Sequence, residues 1–137
     1  MSRGPSGDKL IRVDMTRGSA EVVDFPESWK YLGGRALSAK ILLAECDPTC
    51  DPLGPENTLG FITGPLTGTP ATFGTRYTVV GKSPLTGGWG DANCGGFFGP
   101  HLKFSGYDGV LFSGISPEPV YLFIDEGKTE IIDAKDL

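Results

Sequence analysis

Alternating apolar and polar positions along the chain predict a protein built mainly from β-strands. Residues 9–15 and 20–25 have strand character and flank a turn segment that contains Gly18, which predicts a β-hairpin at the start of the chain. The same pattern predicts five further strands, over residues 58–63, 76–81, 109–113, 120–124 and 129–132. Turn residues at 125–128 join the last two strands, so a second hairpin is expected near the end.

Helical spacing of apolar residues occurs in fewer places. Pro26 suits the first turn of a short helix over residues 29–32, and the double glycine at 33–34 interrupts it. A second helix is predicted over residues 35–45, and a further short one over about 95–104. The buried stripe of the second helix is predicted to consist of Leu37, Ile41 and Ala44. The predicted class is α+β, with predominantly antiparallel β-sheets and one or two short helices.

Length and composition indicate one soluble domain. The chain has 137 residues, 39% of them hydrophobic and 21% charged, and no apolar run approaches the roughly 20 residues of a membrane span. Residues 1–8 lack the apolar core of a secretory signal and are interpreted as a flexible lead-in to a domain over residues 9–137. The net charge of −5 disfavours nucleic acid as a partner. Three cysteines without the spacing of a disulfide framework favour a reducing, cytoplasmic compartment.

Glycine is concentrated in the segment 87–99, which contains six of the 21 glycines. The segment lies just ahead of a predicted helix start, where backbone N–H groups can bind an anion and glycine lets a phosphate approach the backbone closely. It matches neither a Walker A loop nor a G-x-G-x-x-G fingerprint. Two interpretations therefore remain open: an anion or cofactor site, and a structural glycine-rich turn.

The sequence Pro-Leu-Thr-Gly occurs twice, at residues 65–68 and 84–87, each time directly after a predicted strand. If both loops lie at one end of a sheet, they can face one ligand from two sides. The alternative is that Pro-Leu-Thr-Gly is simply a competent turn sequence that is used twice.

Two polar residues near the glycine-rich segment are candidates for ligand binding. Arg76 follows a loop rich in small residues, and its guanidinium can clamp a phosphate or heterocycle in two-pronged fashion, although surface arginines are common. Asn93 can cap a helix or offer a carbonyl oxygen to a hard cation such as Mg²⁺.

The thiol and imidazole groups do not form a recognisable catalytic or metal pattern. Cys46 and Cys50 form C-x₃-C in a proline-rich connector, and Cys94 lies in the glycine-rich segment. These spacings match no compact zinc or iron–sulfur motif, so the cysteines are interpreted as structural or incidental thiols. His101 is the single histidine of the sequence, which leaves no Ser/His/Asp or Cys/His apparatus to assemble.

Six ordered segments of the sequence resemble a known family. They are YLGGRAL (31–37), DPLGPEN (51–57), TGPLTGT (63–69), KSPLTG (82–87), NCGGFFG (93–99) and LKFSGYD (102–108). Together they closely resemble the N-terminal domain of the aldehyde:ferredoxin oxidoreductase family, and the resemblance runs from about Leu10 to the end of the chain.

The resemblance implies both a fold and a cofactor site. In that family this domain forms paired antiparallel sheets on which a tungsten bis-pyranopterin (tungstopterin) cofactor lies, while later domains cover it. The family's cofactor contacts fall by motif on Arg76, Asn93 and Gly95. The Asn93 backbone carbonyl is expected to help hold a Mg²⁺ that bridges the two pterin phosphates. Cys94 through its backbone and Gly96 through its amide complete the expected cofactor-binding set.

The resemblance also implies a reaction for the full-length enzyme. An aldehyde is oxidised to the carboxylic acid, and electrons pass through a [4Fe–4S] cluster to ferredoxin. The cluster ligands and the catalytic groups belong to downstream domains, so this chain is expected to be an incomplete, inactive part of a homo-oligomeric enzyme. The alternatives are a non-catalytic β-rich scaffold, or the related branches that reduce aromatic thioesters or oxidise a sugar phosphate.

Overall fold

A six-stranded, mainly antiparallel sheet forms the centre of the fold in the computed structural model, which describes residues 8–25 and 28–137. The strands are β1 (Lys9–Asp14), β2 (Ser19–Asp24), β3 (Leu59–Thr63), β4 (Tyr77–Lys82), β5 (Trp89–Cys94) and β6 (Gly109–Ser113). They are arranged in the order β2-β1-β6-β3-β4-β5, and only the β1–β6 pair among them is parallel. Two further strands, β7 (Val120–Asp125) and β8 (Lys128–Asp133), form a separate antiparallel hairpin.

The helices cover the two faces of the sheet. A short 3₁₀ helix over Ser28–Tyr31 leads into α1 (Gly34–Glu45), which packs on β3 and β4. The second helix, α2 (Phe98–Phe104), precedes β6. No helix in the described part of the chain is both long and apolar enough to cross a membrane. The α+β class with mainly antiparallel sheets and short helices is thus confirmed, as are both predicted hairpins.

Each face of the sheet has its own apolar core. The core beneath α1 consists of Leu10, Leu37, Ile41, Ile62 and Leu111. The core on the other face is formed by β1, α2, β6 and the link between α2 and β6, and the β7–β8 hairpin packs against it. Its buried members are Ile11, Val13, Leu102, Tyr107 and Val110. The Tyr107 hydroxyl donates to the Gly127 carbonyl oxygen at 2.6 Å, which ties the hairpin turn to the main sheet.

The buried face of α1 differs in part from the predicted stripe. Leu37 and Ile41 are buried as expected, but Ala44 is exposed, and Ser38 and Leu42 are buried instead. At 3.6 residues per turn, Ala44 points about 90° away from the centre of the arc that the four buried residues define. The Ser38 hydroxyl is tolerated in the core because it donates to the Gly34 carbonyl oxygen at 2.7 Å.

The glycine-rich segment contains a strand that the sequence pattern did not predict. Trp89–Cys94 pairs with β4 along its whole length, from Lys82 opposite Trp89 to Tyr77 opposite Cys94. Glycine, aspartate and asparagine are poor strand formers, and this edge strand is held by its pairing with β4. The helix expected from about residue 95 begins at Phe98, so Gly95 and Gly96 form the link between β5 and α2.

The two Pro-Leu-Thr-Gly loops lie at opposite ends of the sheet, which contradicts the expectation that they face one ligand. The first follows β3 and the second follows β4, and these strands are antiparallel, with Thr63 opposite Tyr77 and Gly60 opposite Val80. The carboxyl ends of neighbouring antiparallel strands point in opposite directions, so the length of β4, roughly 20 Å by strand rise, separates the loops.

Candidate functional site

A cleft of about 380 Å³ opens where α1 begins, at the end of the sheet that contains the first residues of β4. Four separate segments meet there because β3 and β5 both run antiparallel to β4, so both end beside its start. The cleft is lined by Leu32, Gly33, Gly34, Arg35, Gly64, Arg76, Tyr77, Thr78 and Asn93. Two of the residues predicted from the sequence, Arg76 and Asn93, therefore lie in one cleft.

The double glycine places the first turn of α1 against the end of β3. Gly33 has φ 65° and ψ −160°, a region that is essentially restricted to glycine. A Cβ atom at Gly33 would collide with the carbonyl oxygen of Thr63. The helix can approach the sheet this closely only because Gly33 has no side chain.

The same residues leave the amino end of α1 open to a ligand. Gly33 is the N-cap and provides no side-chain acceptor for the amides of the first turn. The first backbone bond of the helix runs from the Leu37 amide to the Gly33 carbonyl oxygen at 3.2 Å. Free amides and the positive end of the helix dipole together favour an anion at this position.

Arg35 connects the helix to the edge strand beside the cleft. Its Nε and Nη2 atoms both lie 2.6 Å from Oδ2 of Asp91. Asp91 and Asn93 are two residues apart on β5, so their side chains point to the same face of the sheet, the face that α1 covers. The ion pair thus keeps the end of β5 close to the start of α1.

Arg76 supplies a cation that no residue in the described part of the chain neutralises. The residue is exposed, and its guanidinium has no hydrogen bond or ion pair within residues 8–25 and 28–137. Gly95 lies beside it, since a Cβ atom there would be 3.8 Å from Cδ and Nη1 of Arg76. An exposed guanidinium next to an uncapped helix start is suited to bind phosphate oxygens in two-pronged fashion.

Asn93 lies opposite Thr78 in the β4–β5 ladder and faces the cleft. Its side chain is exposed and makes no hydrogen bond to the described part of the chain. Asparagine and backbone carbonyl oxygens are ligands for hard cations. Within the described residues no group of three or more His, Cys, Asp and Glu side chains is placed to hold a metal, so a cation beside Asn93 would take its other ligands from a bound molecule or another domain.

The other three predicted residues, Cys94, Gly95 and Gly96, are not among the residues that line the cleft. Cys94 lies opposite Tyr77, and strand alternation turns its side chain to the face away from α1. Burial and the neighbouring Cys94 thiol raise the pKa of Tyr77. Gly96 has φ 89°, and no atom lies within 4 Å of the position that a Cβ would take there, so the space beside it is open.

Sequence reasoning missed Gly33, Gly34 and Arg35 as residues of the site. A usable signal was present, because two glycines followed by an arginine stand directly before a helical stripe and offer no capping side chain. The sequence pattern instead indicated an anion-binding helix start near Gly95, within the glycine-rich segment. Among the described residues, the lining of the cleft includes the first turn of α1 and none of α2.

A second cleft of about 380 Å³ lies between the other end of α1 and β1, but both of its arginines are already paired with carboxylates. Arg12 donates to both carboxylate oxygens of Glu45, at 2.7 and 2.6 Å, and Arg17 lies 3.3 Å from Asp14. The hydrogen bond to Glu45 raises the pKa of Arg12. Because its arginines are paired and its lining contains two further carboxylates, Glu21 and Glu56, this cleft is less suited to an anion.

A comparison with known protein families gives a match to the description "Aldehyde ferredoxin oxidoreductase, N-terminal domain" over residues 10–137. The chain belongs to this family. It is 49% identical over 128 residues to the tungsten-containing aldehyde ferredoxin oxidoreductase of Pyrococcus furiosus, which covers 92% of this chain and 21% of that protein. It is 47% identical over 131 residues to the enzyme of the same name from Thermococcus kodakarensis, with 94% and 22% covered.

A solved structure has the same fold. In the active site complex BamBC of benzoyl coenzyme A reductase, determined with 1,5-dienoyl-CoA, one chain superposes with a TM-score of 0.92 at 43% identity, over 97% of this chain and 21% of that one. The relatives are thus oxidoreductases, and this chain spans about a fifth of their length. The resemblance seen in the six sequence segments is confirmed.

Proposed function

We propose that the cleft at the start of α1 holds the phosphate end of a tungstopterin cofactor. The observation that carries the proposal is the exposed Arg76 guanidinium in the same cleft as Asn93 and the uncapped first turn of α1. The name of the relatives, tungsten-containing aldehyde ferredoxin oxidoreductase, supports the choice of cofactor. Arg76 offsets phosphate charge, and the amides of Gly95 and Gly96, together with the Cys94 backbone, donate or pack beside it.

The donors of the cleft fit a phosphate better than a neutral ligand. Asp91 already neutralises Arg35, so Arg76 leaves the cleft with about one uncompensated positive charge in a chain whose net charge is −5. Helix amides and a guanidinium are the usual partners of phosphate oxygens. We further propose that the Asn93 backbone carbonyl oxygen would help to hold a Mg²⁺ ion that offsets phosphate charge.

The full-length enzyme is proposed to oxidise aldehydes to carboxylic acids. The bound cofactor would supply the two-electron redox chemistry, and a [4Fe–4S] cluster, held by residues outside this chain, would pass single electrons to ferredoxin. The residues of this chain bind and orient the cofactor, and they provide no catalytic group. A homo-oligomer in the cytoplasm remains the expected form of the enzyme.

Exposed aromatic residues support the proposal that other domains of the enzyme cover this one. Phe73, Phe97 and Phe104 are 83%, 82% and 69% exposed. Large exposed apolar patches commonly mark surfaces that contact another domain or protein. Gly64, which directly precedes the first Pro-Leu-Thr-Gly loop, lines the cleft, whereas the second loop lies at the far end of β4 and is not part of the proposed cofactor site.

The reduction of an aromatic thioester is the second candidate reaction. It is favoured by the similarity to BamBC, whose structure was determined in complex with 1,5-dienoyl-CoA. Benzoyl-CoA and an aldehyde, offered in turn to the purified full-length enzyme with a suitable electron donor or acceptor, would separate the two. Turnover of the thioester alone would replace the aldehyde proposal without affecting the cofactor site.

The cofactor site is tested by Arg76→Ala in the full-length enzyme, produced with tungstate available. Loss of a phosphate-binding guanidinium should lower the tungsten and pterin content per protein by about tenfold at limiting cofactor, because a charge-assisted pair contributes about 1.5–3 kcal/mol. Arg17→Ala is the matched control, since Arg17 is also exposed but lies in the turn between β1 and β2. Equal cofactor content in the two variants would eliminate the role of Arg76, and absence of tungsten and pterin from the wild-type enzyme would favour the non-catalytic scaffold.

A further inference from the structure

Two of the three thiols lie side by side at the carboxyl end of α1. Cys46 is the C-cap of the helix, where its amide donates to the Leu42 carbonyl oxygen at 2.9 Å. Cys50 follows after a turn in which its own amide donates to the Asp47 carbonyl oxygen at 3.1 Å. The two Sγ atoms are 3.6 Å apart, the separation of a thiol–thiol hydrogen bond. No bond joins them, and both cysteines are free thiols.

Tertiary contacts hold the segment that carries these thiols. The Nζ atom of Lys82, at the end of β4, donates to the carbonyl oxygens of Pro48 and Cys50, at 2.7 and 2.5 Å. The Asn57 side chain donates to the Pro52 carbonyl oxygen at 2.8 Å and accepts from the Lys82 amide at 3.1 Å. The distance between the thiols is therefore a property of the folded sheet and connector as well as of the short C-x₃-C spacing.

Small reagents can reach this pair. Both cysteines are partly exposed, and Cys46 lines an apolar groove of about 250 Å³ together with Leu43, Pro48 and Trp89. Burial and the hydrogen bond with Cys46 raise the pKa of Cys50. The groove beside Cys46 admits a small disulfide, so Cys46 is assigned the first attack.

We propose that Cys46 and Cys50 form a reversible dithiol–disulfide site that is oxidised by low-molecular-weight disulfides. The Cys46 thiolate attacks one sulfur of the small disulfide, and one small thiolate leaves. The Cys50 thiol then loses its proton and attacks the Cys46 sulfur of the mixed disulfide, so that the second small thiol leaves and the intramolecular disulfide forms. Two protein thiols are oxidised, and one small disulfide is reduced to two thiols. The site is independent of the cofactor cleft, which lies at the other end of α1.

The test is carried out on the full-length enzyme with glutathione disulfide as the probe. Remaining thiols are blocked with N-ethylmaleimide, and peptides are analysed by mass spectrometry without reduction. The peptide that contains Cys46 and Cys50 should lose two hydrogen atoms and take up no maleimide, and a reducing agent should reverse this. Cys94 is the internal control and should carry one maleimide or one glutathione. Two maleimides or two glutathiones on the 46–50 peptide would overturn the proposal.

Three further measurements test whether the fold, and not only the short sequence spacing, brings the two thiols together. At matched ratios of oxidised to reduced glutathione, the effective concentration of the two thiols should be at least about tenfold higher in the folded enzyme than in urea. An equal or lower value in the folded enzyme would overturn the proposal. Phenylarsine oxide bridges two thiols with loss of water, and one equivalent of it should bind to the reduced site. The Cys50→Ser variant should instead retain a stable glutathione on Cys46, because it has no second thiol to release it. Failure of the wild-type site to bind the arsenical would count against the proposal even if the variant does not fold.

Discussion

Replacement of Gly33 by alanine should destabilise the protein more than any ordinary surface change. The backbone at Gly33 lies in a region that is essentially restricted to glycine, and a non-glycine residue there costs about 1–3 kcal/mol. The added Cβ would also collide with the backbone carbonyl oxygen of Thr63, and overpacking of this kind costs a further ~1–3 kcal/mol. The expected loss in the free energy of unfolding is therefore about 2–6 kcal/mol.

Gly18→Ala provides a matched control for this prediction. Gly18 also has a positive φ, 62°, but no atom lies within 4 Å of a Cβ placed there. Its replacement should cost only the left-handed backbone term of about 1–2 kcal/mol. Urea unfolding of both variants and the wild-type chain measures the difference, and thermal unfolding should show a shift of about 3–5 °C per kcal/mol for a chain of this length. A loss at Gly33 no larger than the loss at Gly18 would refute the close packing of α1 on β3, and with it the shape of the proposed cofactor cleft.

A buried ion pair and an exposed carboxylate give further predictions. Lys103 and Asp108 form an ion pair whose side chains are 2% and 6% exposed, so Lys103→Met should cost about 3–5 kcal/mol, because it leaves a buried carboxylate unpaired. Adding Asp108→Asn to this variant should recover part of the loss, as measured by thermal unfolding. As a control, Lys135→Met breaks an exposed pair and should cost less than about 1 kcal/mol. Equal losses for the two lysine variants would contradict the argument from burial. Hydrogen bonds from Thr49 lower the pKa of Asp47. The contribution of the Asp47 carboxylate to the free energy of unfolding should therefore be present above about pH 4 and disappear as the pH falls through the lowered pKa. Urea midpoints of the wild type and Asp47→Asn should therefore converge in acid, and a constant difference down to pH 2 would disprove the assignment.

Part of the candidate site was predictable because single residues carry the relevant chemistry. Arg76 and Asn93 were proposed from residue type and motif, and the structure brings both into one cleft. Gly33 and Arg35 were not proposed, because their role depends on which helix begins beside the ends of β3 and β5. That juxtaposition joins residues about 30–60 positions apart in the chain, and no local pattern contains it.

Local sequence patterns were sufficient to predict those strands and turns whose own residues favour the conformation that they adopt. Period-two alternation and turn glycines determined both hairpins and the strands β3, β4 and β6, and the ordered motifs determined the family. Only the tertiary structure decided that Trp89–Cys94 is a strand, because its stability comes from pairing with β4 and not from residues that prefer extended backbone. The antiparallel direction of β3 and β4 likewise decided that the two Pro-Leu-Thr-Gly loops lie far apart. A sequence specifies what each segment can form, whereas the pairing of strands determines which segments meet.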